Sequence, residues 1–299
     1  MPNKKIKPKI LVIVGPNASG KTDLSIWLAK KFNGEIISAD SRQVYKGMDL
    51  GTGKVTKKEM ENIPHYMIDV ASPKRTFTVT QFVKKAEKYI EKILKKGKLP
   101  IIVGGTGFYI DALVFGLEIP NVPPNLKLRK ELGKKSAEEL FEILKQKDPQ
   151  RAKSIDRKNK RRLIRALEII EKLGKVPKLK KNLKYNALFL GIQRNPKNLK
   201  QRIYKRLIKR LKAGMIDEVI KLRKSGVSFK RLENFGLEYR YIAYYLQKKL
   251  TYDEMFEKLK KAIWNYARRQ MTYFRKNKNI IWIKNKKEAE KLVKKFITS

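Results

Sequence analysis

The sequence predicts an α/β fold: a parallel sheet flanked by helices, interrupted by a helical insertion and followed by a basic helical C-terminal region. Three observations carry this prediction. Short β-branched runs alternate with amphipathic stretches early in the chain. A glycine-rich loop ending in Lys-Thr joins the first run to the first helix. From Pro120 onward, a proline-marked segment offers helices but no convincing strand until Ala187.

The strands are read at Ile10–Val14, Glu35–Ser38, Ile101–Val103, Ala187–Ile192 and Ile280–Ile283. Between the early ones, Leu24–Phe32 and Val79–Lys96 place apolar residues three or four apart, the helical period. Alternation of this kind makes βαβ units, which need parallel strands. The segment opened by Pro120, Pro123 and Pro124 then reads as helices at Leu126–Leu132, Ala137–Lys145 and Lys160–Leu173. The predicted division is a core over 1–119, a helical insertion over 120–186, and a return to the core over 187–299. In the last part, Leu199–Lys224 reads as one basic amphipathic helix with Ile203, Leu207, Leu211 and Ile216 along a stripe, and Tyr252–Lys276 as another.

At 299 residues and 41% hydrophobic, the chain is long and apolar enough for a packed core with a second unit. Its 73 Lys+Arg against 28 Asp+Glu give a formal net charge of +45. The excess is uneven: residues 1–120 hold 21 basic and 11 acidic residues, net +10, and the remainder net +35. A polyanion such as nucleic acid suits that second half, while general lysine enrichment is the plainer source of the excess. The absence of cysteine excludes disulfides and thiolate-zinc sites. Met1–Lys9 is polar and basic, and Ile10–Val14 is too short to span a membrane, so a soluble cytoplasmic protein is expected. Nothing in the pattern calls for an obligate protein partner, and a monomer is expected.

Gly15-Pro16-Asn17-Ala18-Ser19-Gly20-Lys21-Thr22 matches G-x-x-x-x-G-K-[ST], directly after a strand and at the head of a helix. Backbone N–H groups of such a loop curl around phosphate oxygens, and the helix N-terminus adds its positive end. Lys21 supplies a point charge, and the Thr22 hydroxyl can ligate Mg²⁺. The core is thus a P-loop sheet, and the motif specifies a polyphosphate rather than ATP in particular. Phosphate-loop NTPases place a metal-binding Asp at the tip of a further strand. Here Ile101–Val103 runs into Gly104-Gly105-Thr106-Gly107, which argues against a motor ATPase.

Glu35–Ser38 empties into Ala39-Asp40-Ser41-Arg42-Gln43, at the carboxyl edge where open α/β sheets bind ligands. Asp40 there suits a general base or a metal ligand; it equally suits a helix N-cap. His65, the sole histidine, has no partner visible in the sequence and reads as structural or substrate-lining.

Several blocks together resemble the bacterial tRNA dimethylallyltransferases (isopentenyl-pyrophosphate transferases). They are Gly15–Thr22, Asp40–Lys54 with its Tyr-Lys-Gly-Met-Asp-Leu-Gly-Thr core, Val103–Tyr109, Asn159–Glu168 and Tyr266–Arg275. They run in family order over nearly the whole chain. The resemblance implies transfer of a dimethylallyl group from dimethylallyl pyrophosphate to the exocyclic amine of the adenosine 3′ of the anticodon. It implies that Gly15–Thr22 cradles the donor's pyrophosphate, with Lys21, Thr22 and Mg²⁺ neutralising the leaving group. It makes Asp40 the general base. Ser41, Arg42 and Gln43, with Thr106, Arg129 and the stretch Arg161, Arg162, Leu163, Ile164 and Arg165, become positions that meet the anticodon stem-loop. Gly236-Leu237-Glu238-Tyr239-Arg240 departs from the family's usual Gly-Tyr-Lys-Glu, and Tyr273 stands where Trp is common.

Arg161 and Arg165 share a helix face. Arg202 and Arg206, four apart, suit pyrophosphate, RNA or plain surface charge. Tyr239, Tyr241, Tyr244 and Tyr245 read mainly as core packing, whereas Arg268 and Arg269 with Tyr266, Tyr273 and Phe274 read as a basic aromatic surface for RNA. Two other readings stand beside the transferase: a small-molecule kinase using ATP in the same loop, and a non-enzymatic RNA-binding factor.

Overall fold

The structure, a computed structural model, describes residues 7–180 and 182–299, so most of the polar start read at Met1–Lys9 lies outside the described residues. Contacts divide the chain into two compact units, one made of 1–116 with 183–299 and the other of 117–182.

The first unit is built on a parallel sheet of β1 (Lys9–Val14), β2 (Gly34–Ser38), β3 (His65–Tyr66), β4 (Leu99–Gly104), β5 (Asn186–Ile192) and β6 (Ile280–Ile283), in the order β3-β2-β4-β1-β5-β6. β1 pairs with β4 on one side, Ile13 opposite Val103, and with β5 on the other, Ile13 opposite Leu190. Strands buried on both faces need apolar residues at every position. β1 supplies them: Ile10, Val12 and Val14 join one core, and Leu11 and Ile13 the other. β3 escapes the sequence reading because two residues carry no pattern.

Helix α1 (Lys21–Lys31) follows β1, and its Leu24 and Leu28 pack under Leu11 and Ile13 together with Ala289 and Val293 of a C-terminal helix, residues 286–298. Two further helices of this unit, α2 (Lys57–Met60) and α3 (Val79–Lys95), open on capping boxes, Thr56 with Glu59 and Thr78 with Gln81. α4 (Gly107–Val114) follows β4. In the second unit, α5 (Leu126–Leu132), α6 (Ala137–Lys147), α7 (Pro149–Ala152) and α8 (Lys160–Leu173) bury Leu132, Leu140, Leu144, Leu163 and Leu167 together. No strand occurs among its described residues.

Back in the first unit, the basic stretch expected as one helix over Leu199–Lys224 is two, α9 (Pro196–Lys212) and α10 (Met215–Lys224). Gly214 adopts φ 93°, a left-handed conformation that ends one helix and starts the next. α11 (Phe229–Phe235), α12 (Leu237–Leu246), α13 (Tyr252–Phe274) and α14 (Lys286–Thr298) complete the chain. No described helix is long and apolar enough to cross a membrane.

Candidate active site at the carboxyl edge of the sheet

The loops leaving β1, β2 and β4 line one pocket of about 460 Å³. From β1 comes the phosphate loop. Gly20 holds φ 98° and no side chain caps α1, so the first N–H groups of the helix have no side-chain acceptor. The Ser19 hydroxyl is buried without a hydrogen-bond partner, and Thr22 is exposed at the head of α1.

Four cations converge on this loop. Lys21 Nζ donates to the carbonyls of Gly15 (2.9 Å) and Pro16 (2.8 Å). Arg194 Nε donates to Ser19 O at 3.0 Å and Arg202 Nε to Ala18 O at 2.8 Å. Arg206, one turn along α9 from Arg202, lines the pocket without a hydrogen bond or salt bridge among the described residues. Burial and, next, the Arg206 guanidinium bring the Lys21 pKa down to about 8, with Asp40 opposing. Arg206 is itself lowered by burial and by Arg210 and Arg202. Like charges gathered this closely are costly until an anion offsets them. The helix therefore assigns Arg202 and Arg206, ambiguous in the sequence, to the phosphate loop. Arg194 was missed; its position just beyond the carboxyl end of β5, beside β1, is the signal that could have found it.

Asp40 lines the same pocket from the end of β2. β4 stands between β2 and β1, so Asp40 lies two strands from the phosphate loop. The two meet because β4 ends in glycine. A side chain at Gly104 would strike Ala39 O at 2.2 Å, and one at Gly105 the Gln270 amide at 2.2 Å. The run is thus set by close packing, which also leaves space between Lys21 and Asp40. Gln270, 7% exposed on α13, ties both loops: its amide accepts from Asn17 N–H at 2.8 Å and donates to Gly105 O at 3.0 Å.

The capping reading of Asp40 is half right. Oδ1 accepts from the backbone N–H groups of Arg42 (2.8 Å) and Gln43 (3.3 Å), but a turn follows, not a helix. Both bonds use one oxygen, and Oδ2 makes no hydrogen bond among the described residues. Nearby, Thr106 Oγ1 accepts from Ser41 N–H at 3.1 Å, Arg42 Nε donates to Phe235 O at 2.8 Å, and Gln43 accepts from the Ser38 hydroxyl at 3.0 Å. Ser41, Arg42, Gln43 and Thr106 therefore sit together around Asp40. Tyr266 is close enough that burial, then Asp40, raise its pKa to about 12. His65 also lines the pocket; its Nδ1 lies 2.8 Å from Ile63 O, and burial lowers its pKa.

The second unit holds the other predicted RNA positions. Arg161 and Arg162 are exposed on α8. Leu163 is 0% exposed in the core of that unit, so its side chain packs and does not face a ligand, a correction to its placement among contact residues. Ile164 packs partly buried against the same core. Arg129 and Arg165 both pair with Glu168, which is 2% exposed. Arg129 grips it with two nitrogens at 2.8 Å each. Burial opposes ionisation of Glu168, but the bonds from Arg129 and Arg165 outweigh it and hold its pKa below the usual range. The exposed parts of these arginines are what remain for a ligand. On α13, Arg268, Arg269 and Tyr273 are exposed, whereas Phe274 is buried in the sheet's core and drops out of the predicted RNA surface.

A parallel sheet whose first strand runs into a glycine-rich loop ringed by cations, with a carboxylate lining the same pocket, is the arrangement of an α/β phosphate-loop protein. The family model for IPP transferase matches residues 43–277. A tRNA dimethylallyltransferase of Acetivibrio thermocellus is 43% identical, over 95% of each chain. One of Thermoanaerobacter sp. is 39% identical over 97% of each. Among solved structures, the full-length tRNA isopentenylpyrophosphate transferase of Bacillus halodurans matches with a TM-score of 0.74 at 35% identity, covering 98% of this chain and 96% of that one. A eukaryotic dimethylallyltransferase described acting on tRNA matches at 0.75 and 30%, covering 89% of this chain and 69% of that one. The chain belongs to the IPP transferase family.

Proposed function

We propose that the protein transfers a dimethylallyl group from dimethylallyl pyrophosphate to the exocyclic amine of the adenosine 3′ of the anticodon in tRNA, in the cytoplasm. The observation that carries this reading is the shared pocket: a carboxylate with an uncommitted oxygen faces the same space as a phosphate loop ringed by Lys21, Arg194, Arg202 and Arg206. The loop N–H groups and these cations take the donor's pyrophosphate. The allyl carbon–oxygen bond breaks, the nitrogen–carbon bond forms, and the amine proton passes to Asp40 Oδ2. Charge growing on the departing pyrophosphate meets cations already in place.

Mg²⁺ fits the same corner. Among the described residues no cluster of three or more His, Asp or Glu is arranged to hold a metal. Mg²⁺ commonly needs only one or two protein ligands with phosphate oxygens and water. The exposed Thr22 hydroxyl would be its protein ligand, and the ion when bound would neutralise pyrophosphate charge. The adenine must leave its stack to reach Asp40, so a flipped base is expected. Ser41, Arg42, Gln43 and Thr106 surround that base, and Arg161 and Arg162 take phosphates of the anticodon stem-loop.

The test is to incubate the protein with Mg²⁺, dimethylallyl pyrophosphate and unmodified tRNA, then weigh the digested nucleosides. A five-carbon gain on adenosine, lost in Asp40→Ala, is expected. No gain on any tRNA, together with tight binding of Mg²⁺-ATP, would point to the kinase instead.

A further inference from the structure

Another wall of the pocket is the segment Asp49–Lys54, whose Asp49, Leu50, Thr52, Gly53 and Lys54 line it. It forms no helix or strand; within it Gly53 N–H bonds Leu50 O and Lys54 N–H bonds Asp49 O, which leaves the N–H groups of Asp49, Leu50 and Gly51 to find partners outside it. Three N–H groups find one carboxylate. Glu218 Oε2, from α10, accepts from Asp49 N–H (2.8 Å) and Leu50 N–H (2.6 Å), and Oε1 accepts from Gly51 N–H at 3.0 Å. The Tyr239 hydroxyl of α12 adds a bond to Oε1 at 2.8 Å. Tyr239 is 2% exposed, and its ring lies 2.5 Å from where a side chain on Gly51 would begin. From α9, Arg210 Nη1 donates to the carbonyls of Leu50 (3.0 Å) and Gly51 (3.2 Å), and Nη2 to buried Glu238 at 2.6 Å.

The segment is thus held on its donor side by Glu218 and on its acceptor side by Arg210. One turn before Arg210, Arg206 packs onto this wall: a side chain at Gly53 would lie 2.8 Å from its guanidinium. Arg206 makes no hydrogen bond or salt bridge among the described residues, so its place depends on what it rests against.

We propose that Glu218 is a positioning residue for the donor site: with Tyr239 and Arg210 it fixes the Asp49–Gly53 wall, and the wall holds Arg206 toward the pyrophosphate. This rests on the reading of the pocket as a pyrophosphate site. Glu218 and Tyr239 touch no substrate. Tyr239 comes from the stretch where the chain departs from the family's usual Gly-Tyr-Lys-Glu, and Glu218 from α10, two helices before α12; the departure thereby gains a purpose: Glu238 and Tyr239 each complete one side of the clamp.

The geometry makes an unusual demand. Both oxygens of Glu218 accept from two donors. A glutamine, though isosteric, must turn an NH₂ toward N–H or O–H donors in either orientation, so it cannot replace the carboxylate. The experiment is calorimetric binding of inorganic pyrophosphate with Mg²⁺ at pH 7.5, beside tRNA binding without donor and thermal melting, for wild type, Glu218→Gln and Tyr239→Phe. Glu218→Gln is expected to weaken pyrophosphate about tenfold, the scale of one lost charge-assisted contact. Binding of tRNA should stay within about twofold. Tyr239→Phe removes one of four bonds and keeps the packed ring; it should weaken pyrophosphate by about two- to threefold with melting little changed. In turnover, the KM for donor rises while kcat at saturation is largely retained. Pyrophosphate binding unchanged in Glu218→Gln, or lost only in step with tRNA binding and melting, overturns the positioning role. Wild-type protein that fails to bind pyrophosphate overturns the donor-site reading itself and this inference with it.

Discussion

The pKa of Lys21 makes donor binding depend on pH in a way an ordinary phosphate-loop lysine would not show. Burial and the neighbouring Arg206 bring it to about 8, from a usual value of 10.5. The direction fixes the sign. With the folded pKa lowered, the ammonium form still dominates below about 8 but is lost between 8 and 10.5, where an ordinary lysine would keep it. Free Lys21 is then ~90% protonated at pH 7 and ~10% at pH 9. The donor's terminal phosphate is ionised well before pH 7.5, its second pKa being about 6, so the change belongs to the protein. If only the ammonium form binds well, affinity should fall about tenfold between pH 7 and 9, or about 1.4 kcal/mol. The pyrophosphate also restores the charge, so binding near pH 8.5 should take up a proton. Calorimetric titration of dimethylallyl pyrophosphate without tRNA, in buffers of different ionisation enthalpy, reads both quantities. Lys21→Met should bind more weakly at pH 7 and lose most of the slope. Affinity that stays flat from pH 7.5 to 9.5, or a slope unchanged in Lys21→Met, would refute the argument.

Three other outcomes follow from the same geometry. Asp40→Ala should lower kcat by about 10²–10⁴, as for loss of a general base, with tRNA affinity little changed; near-normal turnover would remove Asp40 from that role. Gln270→Ala should destabilise the fold by about 1–3 kcal/mol in urea unfolding, because Asn17 N–H and the buried Gly105 carbonyl lose their partner, and it should raise the donor KM by loosening both loops. At the far end of β2, burial of Glu35 would raise its pKa, but Lys98, Tyr66 and Lys96 overcome this and hold it at about 2. A depressed carboxylate stabilises the fold above its ordinary pKa and loses that contribution as pH falls from about 4.5 through 2, here about 3 kcal/mol; unfolding of Glu35→Gln should lack that acid-dependent segment.

The parts of this site that were legible in the sequence are those whose chemistry is local. Gly15–Thr22 states its own purpose, because eight consecutive residues make the anion cradle and β1 and α1 bracket it. The strand ends were legible for the same reason, and they placed Asp40 at the ligand-binding edge. What depends on strand order was not. Nothing within Ile101–Val103 says that it slots between β1 and β2. The basic face of α9 posed the same difficulty: Lys200, Arg202, Lys205, Arg206, Lys209 and Arg210 look alike in sequence, and only the packing of the helix selects Arg202 for the Ala18 carbonyl, Arg206 for the pocket and Arg210 for the wall. Arg129 and Arg165 were read as RNA positions from the resemblance; Arg165 lies three residues from Glu168 on α8, a local helical pair, but Arg129 lies 39 residues away, and no local pattern announces that the two arginines share this buried carboxylate.

The glycines at the end of β4 connect these observations to chemistry. In a phosphate-loop ATPase the corresponding strand tip carries the carboxylate that serves the metal. Here a side chain at Gly104 or Gly105 would collide with Ala39 or Gln270, so this tip has no room for one. A carboxylate of the pocket, Asp40, stands instead at the end of β2, a strand farther out, with one oxygen held by its own turn and the other uncommitted. That displacement separates two tasks. In the proposed reaction, charge on the polyphosphate would be met by Lys21 and three arginines, and the carboxylate would receive a proton from the second substrate. A site that hydrolyses or transfers a terminal phosphoryl group concentrates its machinery around that phosphorus. A site that discards pyrophosphate whole needs cations on the leaving group and a base on the far side of the carbon being transferred, and the proposed reaction gives this pocket that division.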